Sequence, residues 1–132
     1  MLELKHISYS VQEPEGTLDI LKDISLCIDE HRLVVFPGPN GGGKTTLAKI
    51  IMGLVTPTAG QIIWNGQDVT HMTITERAKL GISYGFQQPP RFKGLTVRDL
   101  LTIASGDEKL SKDKCCQYLT KVGLCANDYL DR

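Results

Sequence analysis

Residues 38–46 read GPNGGGKTT and satisfy the spacing G-x-x-x-x-G-K-[ST] through Gly38, Gly43, Lys44 and Thr45. Glycines accept backbone angles that side chains resist, so successive N–H groups can turn inward around a phosphate. A helix starting near Lys44 would add its positive dipole end and its unpaired N–H groups. Lys44 would set a point charge against the β- and γ-phosphates, the Thr45 hydroxyl would ligate Mg²⁺, and Thr46 offers a further phosphate donor. The competing reading is a chance glycine-rich turn. With glycine near 7% of residues, a random match in a chain this long is roughly a one-in-several-hundred event.

Such a loop needs a strand to enter it and a helix to leave it. Leu33, Val34, Val35 and Phe36 precede it as a continuous apolar run, the pattern of a strand buried on both faces. After it, Leu47, Ile50, Ile51 and Leu54 recur at helical spacing; Gly53 lies near the helix end and Pro57 stops any continuation. Upstream, residues 2–10 are β-rich and partly alternating, and the EPEG near position 14 is a turn. A second strand-like run follows from about Asp19 to Asp29, with Ile20, Ile24, Leu26 and Ile28 apolar, so the two runs are expected to pair as a hairpin.

Downstream, Gln61 to Trp64 reads as another strand, turned by Asn65-Gly66. Two [ST]-x-x-[DE] patterns mark helix starts. Thr73 with Glu76 opens a short helix through Leu80, and Thr96 with Asp99 opens a second, with Leu95 and Leu100 at hydrophobic-staple positions. Between them, residues 82–86 read as a strand running into the proline-interrupted loop QQPPRFKG. Ser111 can cap a last helix with Cys115, Leu119 and Val122 on one face and Gly123 just past its end.

The chain of 132 residues has the size of one ordinary domain, and 41% hydrophobic with 23% charged residues excludes a disordered or fibrous class. Fifteen Lys and Arg balance fifteen Asp and Glu, which leaves no electrostatic case for nucleic acid or an anionic membrane surface. No apolar run approaches the roughly 20 residues needed to span a bilayer. The amino terminus, MLELKHISYS, lacks the pattern of a signal peptide. The expectation is a cytoplasmic chain, held at the inner face of a membrane only by something else. Cys27, Cys115, Cys116 and Cys125 have no CxxC spacing and read as reduced, packed thiols rather than metal ligands.

Residues 38–70, GPNGGGKTTLAKIIMGLVTPTAGQIIWNGQDVT, closely resemble the start of an ATP-binding-cassette (ABC) ATPase: a P-loop helix, a GL-x-x-P-x-x-G linker, a strand and an NG-x-D turn. GFQQPPRFKGLTVRDLL resembles the family's Q-loop and the start of its helical subdomain, so the resemblance runs from about Met1 to Arg132. It implies an α/β fold: a P-loop NTPase (RecA-like) core with an antiparallel β-subdomain and the beginning of an α-helical subdomain, truncated. On that layout the chain is one partial nucleotide-binding domain, with the β-subdomain and P-loop core at 1–86, the Q-loop at 87–93 and the start of the helical subdomain at 94–132. The implied ligands are ATP and Mg²⁺. The implied contacts are Gly38, Pro39, Asn40, Gly41, Gly42, Gly43, Lys44, Thr45 and Thr46 on the phosphates and Tyr9 stacked on adenine. Gln87 would reach the Mg²⁺ and γ-phosphate side, so Thr45 and Gln87 are the metal-side residues. Three positions depart from the pattern: His31, where the turn often has glycine; Pro37; and Gly42, where serine is common. All three read as variations that leave the loop working.

The sequence stops at ANDYLDR, which in the family lies just upstream of the LSGGQ-type signature. An acidic strand end carrying the water-polarising glutamate, and a switch histidine, would follow; His6, His31 and His71 lie too early to match it. The resemblance therefore implies a chain that binds ATP without supplying the base for its hydrolysis. A complete second ABC ATPase subunit would be needed to close the family's head-to-tail dimer around ATP. Three roles stay open. One is an ATPase subunit energising transport through separate membrane transporter subunits. Another is an ATPase of iron–sulfur cluster assembly docking on a scaffold protein, which FQQPPRFKGLTVRDLL resembles. The last is a non-catalytic nucleotide-binding fragment or remnant.

Overall fold

At the EPEG turn the chain folds back on itself, joining strands β1 (Leu2–Glu13) and β2 (Gly16–Ile28) in an antiparallel register from Leu2 opposite Ile28 to Glu13 opposite Gly16. In this computed structural model, residues 1–107 and 109–132 are described, in two compact units, Met1–Gly85 and Phe86–Arg132. Strand β3 (Ala59–Trp64) pairs antiparallel on the other edge of β1, and the two-residue β4 (Gln67–Asp68) returns through the Asn65-Gly66 turn. Asn65 and Gly66 both have positive φ, 48° and 82°, the requirement of a type I′ hairpin turn. The sheet order is β2-β1-β3-β4.

Alternation buries Leu2 and Leu4 on one face of β1, and strict alternation would put His6 there next. A bulge prevents this: the register shifts between Leu4 and Ile7, His6 takes φ 54°, and Ile7 becomes the buried residue instead. Gly60 on β3 makes the bulge possible, since a Cβ there would lie 2.4 Å from the His6 carbonyl oxygen. The buried face carries Leu2, Leu4, Ile7, Leu21, Ile62 and Val69, and helix α1 (Lys44–Met52) lays Leu47 and Ile50 onto it. At the end of α1, Gly53 donates to the Ile50 carbonyl at 3.1 Å and Leu54 to the Lys49 carbonyl at 2.9 Å, the paired bonds of a Schellman stop.

Both expected capping boxes form. Thr73 opens α2 (Ile74–Lys79): its hydroxyl accepts from the Glu76 N–H at 3.2 Å, while the Glu76 carboxylate accepts from the Thr73 N–H at 2.8 Å. Thr96 and Asp99 repeat the arrangement at 3.2 and 2.8 Å at the head of α3 (Val97–Ser105). In the second unit, α4 (Lys112–Lys121) begins at Ser111 and is followed by α5 (Ala126–Tyr129). Leu110, Cys115, Leu119, Ala126 and Leu130 form that unit's own core. Val97 and Arg98, in the first turn of α3, donate their N–H groups to the carbonyls of Arg132 and Leu130.

Several expectations are corrected. Residues 33–36 are not a buried strand: among the described residues none pairs with them, and Leu33 and Val35 are 94% and 75% exposed. An apolar run becomes a buried strand only when other strands complete its ladder and cover its faces. Residues 82–86 likewise form no strand, although Ile82 is buried and Tyr84 half-buried. Val122 is exposed because α4 stops at Lys121, so the residue leaves the apolar face of the helix. Leu54 is exposed for the same reason past Gly53, and Leu95 stays exposed beside the half-buried Leu100. Cys115 is packed, but Cys27 and Cys125 are exposed thiols. Among the described residues, no helix is long and apolar enough to cross a membrane.

Candidate functional site

The phosphate loop is fixed where α1 begins. Gly43, the residue before the helix, has φ 80° and ψ 0°, and its carbonyl accepts the Leu47 N–H at 2.8 Å. Two independent causes require glycine there. The left-handed backbone angle disfavours a side chain, and a Cβ would lie 2.7 Å from Leu21 Cδ2 and 3.1 Å from the Ile20 carbonyl oxygen of β2. The loop is therefore seated directly on β2. Upstream, the Gly42 N–H donates to the Pro39 carbonyl at 3.2 Å and closes a tight turn over residues 39–42.

Lys44 reaches back over this turn. Its ammonium donates to the Pro39 carbonyl at 2.8 Å and to the Gly38 carbonyl, holding the cation at the loop. An ammonium carries three donors, so this leaves one for an anion. Thr45 is exposed and Thr46 half-buried, both in the first turn of α1. The N–H groups of that turn have no acceptor within the helix, the glycine cap supplies no side-chain oxygen, and no acidic residue sits in the turn. The result is a positive helix end with no internal counter-charge, joined to a lysine. That combination suits a phosphate.

The other sequence candidates fall in different places. Tyr9 lies opposite Leu21 in the β1–β2 register, one residue pair from Gly43, and is half-buried against the core. Gln87 belongs to the second unit, exposed in a bend before Pro89 and Pro90. Beside the loop, a cleft of about 200 Å³ is lined by Leu21, Ile24, Leu26, Phe36, Pro37, Gly42, Gly43, Lys44 and Leu47, without a carboxylate among its described residues. A larger cleft of about 410 Å³ lies between the Met1 end of β1, residues 28–32 and the Trp64–Asn65 turn, and no loop residue lines it. The described residues contain no group of three His, Cys, Asp or Glu side chains placed to hold a metal. A divalent ion at the loop would therefore depend on the Thr45 hydroxyl, water and the phosphates themselves, the ligand set Mg²⁺ commonly accepts.

Two features escaped the sequence reading. One is the contact of Leu21 and Ile20 with Gly43, which no local pattern encodes because 22 residues separate Leu21 from its partner. The other is Arg77, which sits in a short polar helix yet is only 2% exposed. A lone arginine in ITERAK carries no signal of burial; its environment is made by the end of α1, more than 20 residues earlier.

Comparison with known proteins agrees with this geometry. A family profile described as ABC transporter matches residues 21–131. The chain is 38% identical over 124 residues to the uncharacterized ABC transporter ATP-binding protein MJ0035 of Methanocaldococcus jannaschii, covering 89% of this chain and 50% of that protein. It is 45% identical over 99 residues to the sulfate/thiosulfate import ATP-binding protein CysA of Synechocystis, covering 75% and 26% respectively. Among solved structures, the ATP-binding cassette MJ0796, described as dimeric in a post-hydrolysis state bound to ADP and Pi, superimposes with a TM-score of 0.74 at 26% identity. The match covers 92% of this chain and 57% of that one. The chain thus spans about half the length, or less, of the two curated relatives quoted.

Proposed function

The chain belongs to the ABC transporter family and shares the fold of its ATP-binding cassettes, and on that premise we propose that it binds Mg·ATP at the loop Gly38–Thr46. The observation that carries this reading is the junction of Gly43 and Lys44: a helix start with no internal counter-charge, a cation held beside it, and a glycine seated on β2. When bound, Mg²⁺ would neutralise charge across the β- and γ-phosphates. At the loop it would be held by Thr45, through its hydroxyl, together with water and the phosphates. Gly38 and Pro39 through Gly43 would shape the turn, Lys44 and the N–H groups of Thr45 and Thr46 would hold the phosphates, and Tyr9 would offer its ring to the adenine.

In the wider assembly, we assign the chain to an ATPase subunit that energises a transporter, cytoplasmic and held at the inner face of the membrane by transporter subunits. A second ABC ATPase subunit would complete the nucleotide sandwich as a head-to-tail dimer. The names of the relatives, an ABC transporter ATP-binding protein and a sulfate/thiosulfate import ATP-binding protein, support transport over iron–sulfur cluster assembly. Only the 86–101 stretch speaks for a scaffold partner.

Calorimetric titration of the 132-residue chain with Mg·ATP, beside Lys44→Ala, tests the core of the reading. Saturable binding in the parent and at least a roughly hundredfold weaker affinity in the variant are expected, as for loss of a charge-assisted contact to phosphate. Equal affinity in both would remove Lys44 from the site and overturn the assignment.

A further inference from the structure

Arg77 is the most deeply buried charge among the described residues and has no carboxylate partner among them. Its guanidinium is spent on backbone carbonyls instead. Nη1 donates to Ile50 at 2.7 Å and Ile51 at 2.8 Å, Nη2 to Thr70 at 2.8 Å, and Nε to Met72 at 3.1 Å. Ile50 and Ile51 belong to the last turn of α1, where carbonyls lack partners within the helix and the dipole is negative. Such an interior favours a buried cation and offsets the desolvation that pulls the pKa of Arg77 down. Gly53 completes the fit: a Cβ there would lie 3.1 Å from the guanidinium carbon.

The phosphate loop and this clamp are opposite ends of one short helix. Nine residues at the usual helical rise span about 13 Å, so a tilt at one end moves the other. At its start α1 is located by Gly43 against β2; at its end it is located by Arg77, which ties it to the Thr70 and Met72 carbonyls between β4 and α2. We propose that Arg77 is a positioning residue for phosphate binding, fixing the far end of α1 so that the first-turn N–H groups and Lys44 keep their aim. This rests on the ATP-binding reading above. Lysine cannot replace it fully, because the planar fork reaches four carbonyls in two segments at once while an ammonium is a point donor.

The test compares the 132-residue chain with Arg77→Lys and Arg77→Met. Mg·ATP affinity is measured by calorimetry, corrected for the folded fraction by circular dichroism, and amide exchange across Leu47–Gly53 is measured without nucleotide. A weakening of about tenfold in corrected affinity is expected for Arg77→Lys, which keeps the charge but loses at least one of four charged hydrogen bonds, with faster exchange at the end of α1. Should Arg77→Met fail to fold, Arg77→Lys still decides. Corrected affinity within twofold of the parent, with only the melting temperature lowered, would make Arg77 a packing residue and overturn the proposal. A parent chain that binds no Mg·ATP would instead sink the ATP reading, and unchanged α1 exchange in Arg77→Lys would then sink the clamp as well.

Discussion

Replacing Gly43 by alanine tests the seating of the phosphate loop on β2, and Gly41→Ala supplies the control. Both glycines have positive φ, 80° and 84°, so each alanine carries the cost of a left-handed backbone, about 1–2 kcal/mol. They differ in space. A Cβ at Gly41 meets nothing within 4 Å, whereas one at Gly43 would lie 2.7 Å from Leu21 Cδ2 and 3.1 Å from the Ile20 carbonyl oxygen. The leucine methyl can rotate aside, whereas the Ile20 carbonyl is backbone of β2 and moves only with the strand. Overpacking of this kind costs about 1–3 kcal/mol, bringing Gly43→Ala to about 2–5 kcal/mol. If the loop must hold this shape to bind, Mg·ATP affinity falls roughly 5–30-fold for Gly41→Ala and by at least about 30-fold for Gly43→Ala. Calorimetry on both variants, at a temperature where circular dichroism shows each folded, reads the difference. Gly43→Ala binding as tightly as Gly41→Ala would refute the claim that the loop rests on β2.

Three further outcomes are expected. Gly60→Ala should abolish cooperative thermal unfolding, because its Cβ would lie 2.4 to 2.6 Å from Lys5 and His6 backbone atoms, whereas Gly66→Ala, with open space around it, should cost only about 1–2 kcal/mol; a normal melt for Gly60→Ala would contradict the β1 bulge. Hydrogen bonds from Thr96 hold the Asp99 carboxyl below its usual 3.8, so the box stabilises fully above that value and is lost as pH falls through the depressed one. The melting-temperature gap between the parent and Asp99→Asn should therefore close below pH 3.8, and a gap that widened there would reverse the sign. Finally, phosphate release from Mg·ATP by the chain alone should stay far below the roughly 1–100 s⁻¹ of kinases, since among the described residues no carboxylate lines the cleft beside the loop to orient water; turnover in that range would show a base supplied from elsewhere in the chain.

What could be read from the residues divides along sequence distance. The loop motif, the hairpin at EPEG, the Asn65-Gly66 turn and both capping boxes are local: each depends on residues within a few positions, and each element lies where its signal stood. The misreadings are of another kind. Leu33–Phe36 has the composition of a central strand, but centrality is a property of neighbours, and no composition within four residues supplies a ladder partner. Arg77 fails in the opposite direction, a polar residue in a polar helix that the far end of α1 turns into an interior one.

These two cases bear on the site differently. The motif Gly38–Thr46 names the groups proposed to meet a phosphate, and it is legible because the chemistry and the backbone angles reside in the same nine residues. What holds those groups still is distributed: Leu21 from β2 under Gly43, Arg77 from α2 under the end of α1. A short helix pinned at both ends by residues distant in sequence keeps its first turn aimed, and that turn carries no acidic residue of its own to compete for the positive end. Altering either support while leaving all nine loop residues intact should therefore weaken phosphate binding, and that is the behaviour by which a seated loop differs from a glycine-rich turn that merely matches the motif.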